Sequence, residues 1–419
     1  MFKFLHTSDI HLDSPLKFFL KDRGVSPHFP TNATRQALQN IVNLAISEKV
    51  DFMLISGDLY DGDWKDFNTG LFLHKEMVRL LEHNIRVFII SGNHDAESQI
   101  TRDLRMPQNV HRFSVSEPET KILDDIGVAI HGQGFISRSV YQDLSASYPD
   151  PVLSCFNIGM LHTSLNGRQG HEPYAPCTVA SLLSKKYDYW ALGHVHSMEI
   201  VHKNPFIIFP GNTQGRNIRE TGAKGCTIVT VRDKDNVNVN HYTTDLIRWE
   251  LCNIDAKGVQ GVDDLLFSLK ENFKSLVDKN SGYPVVARVN IYGKCQAHKD
   301  FAAHPSKWTA EIEAAAAEAS YGLLLIEKVN LGTEADINMD ELIRSGDPIG
   351  ELIQFIQGIE SLDEVVSPIR SELTNLKGMA PSEILFGDDA IDIELKGDCR
   401  AIIEEAKQML ISRLMDRQK

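Results

Sequence analysis

The stretch Val87-Phe88-Ile89-Ile90-Ser91-Gly92-Asn93-His94-Asp95 decides how the rest of the chain is read. A short apolar run, long enough for a buried strand and too short for a helix, passes directly into glycine and then into side chains that carry lone pairs. An apolar run ending in Asp, Asn or His recurs four more times, twice with the glycine. Phe2–His6 leads to Asp9-Ile10-His11, and Phe52–Ser56 to Gly57-Asp58-Leu59-Tyr60-Asp61. Phe156–Leu161 leads to His162, and Tyr189–Leu192 to Gly193-His194-Val195-His196. Further apolar runs at Val128–His131, Phe206–Phe209 and Thr227–Val231 read as strands, while Arg35–Ser47 and Leu71–Glu82 carry helical periodicity. Strands alternating with helices predict an α/β domain whose sheet is covered on its faces.

In open α/β sheets, ligands gather outside the carboxyl ends of the strands. Five polar clusters at such ends therefore converge on one place, although Asp9 and His196 are 187 residues apart. The Asp-x-His and His-x-His spacings put two side chains on one face of extended chain. Glycine before Asp58, Asn93 and His194 lets the chain turn sharply where the strand stops. Each cluster alone is weak, since Asp and Gly at strand ends are ordinary turn formers. Their ordered recurrence is not. Carboxylate, amide oxygen and imidazole without thiolate suit six-coordinate Mn²⁺, Mg²⁺ or Fe rather than a structural zinc.

The chain has 419 residues, which suggests two or three domains. No run of about 18 uncharged apolar residues offers a membrane span, and Met1–Pro15 lacks a signal-peptide pattern. A cytoplasmic protein is expected. Six scattered cysteines without a CxxC pair read as reduced structural thiols. The net charge of −14 is uneven. Residues 1–245 hold 24 basic and 27 acidic side chains, leaving −11 to the remainder, and 14 of the 16 histidines lie before residue 245. The chemistry belongs to the first part. After it, Ile247–Ile254, Val285–Tyr292 and Leu323–Leu331 read as strands, with helices at Val262–Val277 and Thr309–Ser320 between them. Arg232–Asn240 reads as a hairpin loop. The expected organisation is an α/β domain carrying the polar clusters over 1–245, an α+β domain over 246–334 and a helical segment over 335–419.

The ordered set resembles the calcineurin-like metallophosphoesterase signature D-x-H, G-D-x-x-D, G-N-H-[DE], H, G-H-x-H. The stretches His11–Pro15, Gly170–Cys177, Tyr187–His196 and Phe209–Arg216, with Arg219–Gly222, resemble DNA repair exonucleases of the SbcD type, above all their YhaO-like branch. The resemblance implies a four-layer α-β-β-α sandwich, followed by a capping domain and a helical C-terminal segment. It implies two divalent metal ions, Mn²⁺ in the first instance. Asp9, His11, Asp58 and His196 would hold one, Asp58, Asn93, His162 and His194 the other, with Asp58 bridging. His94 would stabilise or protonate the leaving oxygen. Exonucleases of this kind often carry histidine where this chain has Asp61, and Asp61 is expected to orient His94.

Arg216, Arg219 and His171 are further candidates for contact with substrate, whereas His6, Tyr60, Trp190 and His131 read as packing. The implied function is a metal-dependent DNA exonuclease. The resemblance also implies a homodimer, and an SbcC-like coiled-coil ATPase docked by the amphipathic pattern in Ala401–Lys419. A small-molecule phosphodiesterase or phosphatase, and a non-catalytic DNA-end-binding subunit, are the alternatives.

Overall fold

The computed structural model describes residues 1–16, 28–61, 67–97, 105–165 and 174–335, together with Glu351. Two compact units share these residues. One takes Met1–Glu250, Val277–Ala287 and Gly322–Leu325; the other takes Leu251–Leu276, Arg288–Tyr321 and the described residues from Ile326.

The first unit is built on two six-stranded sheets. In chain order the first twelve strands are β1 Phe2–Thr7, β2 Phe52–Ser56, β3 Arg86–Ile90, β4 Val110–Arg112, β5 Glu119–Leu123 and β6 Val128–Gly132, then β7 Phe156–His162, β8 Tyr189–Gly193, β9 Glu199–Lys203, β10 Phe206–Phe209, β11 Gly225–Asp233 and β12 Asn236–Thr243. The first sheet runs β12-β11-β1-β2-β3-β4 and the second β5-β6-β7-β8-β10-β9. β1 to β4 are mutually parallel, and so are β6, β7, β8 and β10.

Alternation within the buried strands builds the layers. Phe4, Phe52, Leu54, Phe88 and Ile90 face the second sheet's Ile130, Ile158, Met160 and Ala191, and the Phe4 and Phe52 rings stack at 5.0 Å. Their neighbours Leu5, Met53, Ile55, Val87 and Ile89 turn outward onto helices α1 Ala33–Ser47 and α2 Phe67–Glu82. On the far side, Leu161, Trp190, Leu192 and Ile207 pack under the short helix α3 Val179–Ser184. These are the four layers that the resemblance implies, with a thin outer layer on the second sheet. His6 lies between the sheets at 3.1 Å from both Tyr189 Oη and Leu192 O, and burial pushes its pKa down to about 3. It is a packing residue. His131 is likewise satisfied, by Thr120 Oγ1 at 2.8 Å and Asn157 Oδ1 at 3.1 Å.

One expectation fails. The polar run Arg232–Asn240 is not a loop: β11 extends to Asp233 and β12 starts at Asn236. As an edge strand β12 turns one face to solvent, so Asn236, Asn238 and Asn240 are exposed in alternation.

The third sheet orders β13 Arg248–Asp255, β14 Val285–Cys295 and β15 Leu324–Ala335. Helices α4 Val262–Lys279, α5 His298–Ala303 and α6 Pro305–Ser320 lie between its strands in sequence. Leu265, Leu269 and Phe273 form the buried stripe of α4. Among the described residues no helix is long and apolar enough to cross a membrane. The five cysteines among them are all buried and free. The helical expectation for 335–419, with its Ala401–Lys419 pattern, lies outside the described residues apart from Ala335 and Glu351.

Candidate metal centre

The carboxyl ends of β1, β2 and β3 in one sheet, and of β7 and β8 in the other, supply the expected side chains from one end of the sandwich. The connecting loops stay hydrogen-bonded to each other after the strands stop. Asp9 N–H donates to Gly57 O at 3.0 Å, His11 N–H to Asp58 O at 3.0 Å and Leu12 N–H to Leu59 O at 2.9 Å. Across the second sheet Thr163 N–H donates to Gly193 O at 3.1 Å. This zipping holds four side chains at unusual backbone angles. Asp9, His11, Asp58 and His194 have φ of 51°, 44°, 51° and 101°. Such positive φ is sparsely populated and costs on the order of 1–3 kcal/mol per residue.

The glycines act differently from expectation. Only Gly57, at φ 95°, uses the freedom of a missing Cβ to turn. Gly92 and Gly193 are required for space. A Cβ on Gly92 would overlap the Asp58 carboxylate, and one on Gly193 would overlap Ser56 O.

Three overlapping donor groups result: Asp9, His11 and His196; His11, Asp58 and His94; and Asp58, His162 and His194. Within each, the donor atoms all lie within 4.8 Å of one another. Asp58 Oδ2 is 3.9 Å from His11 Nε2 and 3.5 Å from His162 Nε2. Asp9 Oδ1 is 3.6 Å from His196 Nε2. Asn93 Oδ1 is 3.0 Å from His162 Nε2. Asp9, His11, Asp58, Asn93, His162 and His194 are buried, and His196 is half-buried.

The donor set fits cations. His162 Nδ1 donates to Ser56 O at 2.9 Å, which aims Nε2 at the oxygens of Asn93 and Asp58. Three electron-rich atoms facing one another in a buried place need a positive charge between them, a proton or a cation. Burial alone would lower the His162 pKa; the Asp58 charge and its hydrogen bond outweigh it and raise the value to about 9. Asp58 in turn is held well below the usual carboxylate range, because His162, His94 and His11 overcome its burial. His11 lacks a hydrogen bond at either ring nitrogen although fully buried, and that burial pushes its pKa down to about 4. An imidazole buried with neither ring nitrogen hydrogen-bonded is a donor that fits a cation.

Beside these groups, His94 Nδ1 lies 3.0 Å from Asp61 Oδ1, and His94 N–H donates to Asp58 Oδ1 at 2.9 Å. Asp61 is held below its ordinary range: the imidazoles of His11 and His94, 3.6 and 3.0 Å from its Oδ1, outweigh its burial. The fourth residue of the Gly92–Asp95 motif turns away: Asp95 accepts Tyr60 N–H at 2.9 Å and Gly92 N–H at 3.0 Å, stapling two strand ends together. Arg216 sits beside the cluster, 3.8 Å from Asp61 Oδ2 and 3.1 Å from Glu220 Oε1. Arg219 is exposed, its backbone N–H bonded to Asn217 Oδ1 at 2.9 Å. His171 lies outside the described residues.

Sequence reasoning missed three neighbours. Glu220 accepts the His196 Nδ1 proton at 2.7 Å. Phe135 packs edge-on against His162 at 5.5 Å, and Tyr174 packs on His194 at 5.7 Å. No spacing in the chain marks them, because each arrives from a loop without periodicity.

Comparison with known proteins follows the same lines. The calcineurin-like phosphoesterase family matches residues 2–198, and the middle domain of metallophosphoesterase YhaO matches residues 249–334. The uncharacterized metallophosphoesterase YhaO of Bacillus subtilis is 34% identical over 296 residues, spanning 69% of this chain and 71% of that protein. The chain belongs to the calcineurin-like metallophosphoesterases. It is also 25% identical over 328 residues to the DNA double-strand break repair protein Mre11 of Sulfolobus acidocaldarius, covering 72% of this chain and 80% of that one. Among solved structures it is similar to a dimetal phosphatase from Danio rerio, with 11% identity and a TM-score of 0.35 over 58% of this chain and 99% of that one. Members of this family are metal-dependent phosphoester hydrolases, and the donor groups above are the candidate ligands.

Proposed function

We propose that the chain is a two-metal-ion phosphodiesterase acting on DNA, a nuclease. The observation that carries this reading is the place of Asp58, whose carboxylate belongs to two of the donor groups and lies within 4 Å of both His11 and His162. One ion would be held by Asp9, His11, Asp58 and His196, the other by Asp58, Asn93, His162 and His194. Two divalent ions so held, Mn²⁺ by preference, would supply a water of lowered pKa and neutralise charge on phosphoryl oxygens. His94 is the most exposed histidine of the cluster, at 30% of its side chain, and is assigned to hydrogen-bond the leaving oxygen. Asp61 keeps the ring oriented for that transfer.

DNA as substrate is supported by the similarity to Mre11, named as a double-strand break repair protein. A second folded unit, which follows the donor residues in sequence, also suits a long substrate better than a small one. The net charge of −14 favours a small phosphodiester or monoester instead. Incubation with Mn²⁺ and either linear DNA or a nucleotide monoester tests the reading. Shortened DNA is the expected result. Release of phosphate from the monoester alone would make the chain a small-molecule phosphatase, and DNA binding without hydrolysis would make it an end-binding subunit.

A further inference from the structure

We propose that Glu220 and Arg216 are positioning residues, which together orient one imidazole on each side of the site: His196 directly, and His94 through Asp61. The proposal rests on reading the cluster as a metal centre and names residues that act behind the ligands.

Glu220 is buried, at 6% exposure, in the loop after β10. Its Oε1 lies 2.7 Å from His196 Nδ1. A carboxylate can only accept, so the proton sits on Nδ1, and Nε2 is left as the lone pair aimed toward Asp9, 3.6 Å away. The other contacts keep the carboxylate from swinging. Oε1 also takes Arg216 Nη2 at 3.1 Å, while Oε2 takes Arg216 N–H at 2.6 Å and Asn212 Nδ2 at 3.0 Å. Gln214 ties the same loop down through Leu246 N–H at 2.8 Å and Ile247 O at 2.8 Å.

Arg216 joins this half to the other. Its side chain is 12% exposed, and Nη1 reaches 3.8 Å from Asp61 Oδ2 and 3.3 Å from Ser14 Oγ. Ser14 Oγ–H itself donates to Asp61 Oδ2 at 2.7 Å, and Asp61 Oδ1 meets His94 Nδ1 at 3.0 Å. The buried Glu220 carboxylate and the half-buried Asp61 carboxylate flank one guanidinium, and without it their charges would repel. The planar guanidinium bonds Glu220 directly and reaches Asp61 as an ion pair and through the Ser14 hydroxyl, from two nitrogens of one rigid fork that a lysine ammonium cannot reproduce. The chain His196–Glu220–Arg216–Asp61–His94 is therefore one continuous support.

A Mn²⁺ titration of the full chain, followed by the EPR signal of free Mn²⁺, tests the Glu220 half. Wild type should bind two ions. Glu220→Gln, checked for folding by a cooperative melt, should weaken one site by about 10–100-fold and leave the other unchanged. Unchanged affinity at both sites overturns the proposal while the metal-centre reading stands, whereas a wild type that binds no Mn²⁺ removes both. ¹⁵N-histidine NMR of the Mg²⁺-loaded wild type needs no variant: His196 should show the Nδ1–H tautomer, and an Nε2–H tautomer is equally fatal. For the other half, Arg216→Lys should lower kcat on linear DNA, whose alkoxide leaving group needs the His94 proton, with KM unchanged, and an unchanged kcat overturns it. A rise in KM alone would make Arg216 a substrate-phosphate contact instead.

Discussion

Asp61 Oδ1 lies 3.0 Å from His94 Nδ1, while the second carboxylate oxygen is held by the Ser14 hydroxyl at 2.7 Å. A hydrogen-bonded carboxylate cannot rotate away from its partner without losing both contacts. The His94 ring is thereby oriented with its Nδ1 engaged, and its Nε2 is left for substrate.

His94→Ala should lower turnover by about 10²–10⁴-fold, the usual range for a proton-transfer group. Because His94 is not among the assigned ligands, the metal content of the purified variant should match wild type. Turnover at the wild-type rate would return His94 to a structural role.

Asp61→Asn should move the pH profile. Burial lowers the His94 pKa, but the bond to Asp61 and the charges of Asp58 and Asp61 outweigh it, and the net shift is upward. A histidine acting as acid works below its pKa and fails as pH rises through it. Removing the Asp61 charge lowers that pKa, so the alkaline fall in kcat should begin at lower pH, together with a modest loss of rate. A fall that stays in place, or moves to higher pH, contradicts the orienting role.

Asp58→Ala should cost both ions, since one carboxylate serves two donor groups. Metal analysis of the pure variant is the measurement. Two ions per chain after that substitution would refute the bridging assignment.

Gly193→Ala should be as damaging as a ligand change. The added Cβ would run into Ser56 O, a backbone atom that cannot rotate away. Overpacking of this kind costs about 1–3 kcal/mol, and the displaced turn carries His194. A lower melting temperature with weakened Mn²⁺ binding is expected. Gly127→Ala is the control in space, where nothing lies within 4 Å, although its φ of 67° still strains an alanine. If Gly193→Ala melts and binds like wild type, the close approach is not what the site requires.

Sequence alone determined an α/β domain with covered strands and the location of the cluster, because both depend on local patterns, whereas the two-sheet sandwich was implied only by the family resemblance. An apolar run such as Phe52–Ser56 must be a buried strand, and the polar residues after it must emerge at the strand's end, wherever that strand lies in the sheet. Asp9, Asp58, Asn93, His162 and His194 were legible for that reason. Tertiary structure alone decided how the cluster is held. Glu220 and Tyr174 follow no period and come near their partners only through loop closure. Gly92 and Gly193 look like turn residues, yet they are excluded from carrying a Cβ by chains 34 and 137 residues away in sequence, at Asp58 and Ser56. The Asn-rich run after Arg232 looks like a loop because an edge strand with one wet face buries too little to show an apolar pattern. Strand ends are written into sequence by hydrophobic burial, which is local. The orientation of a buried imidazole is set by whichever carboxylate or carbonyl the rest of the fold brings to its other nitrogen.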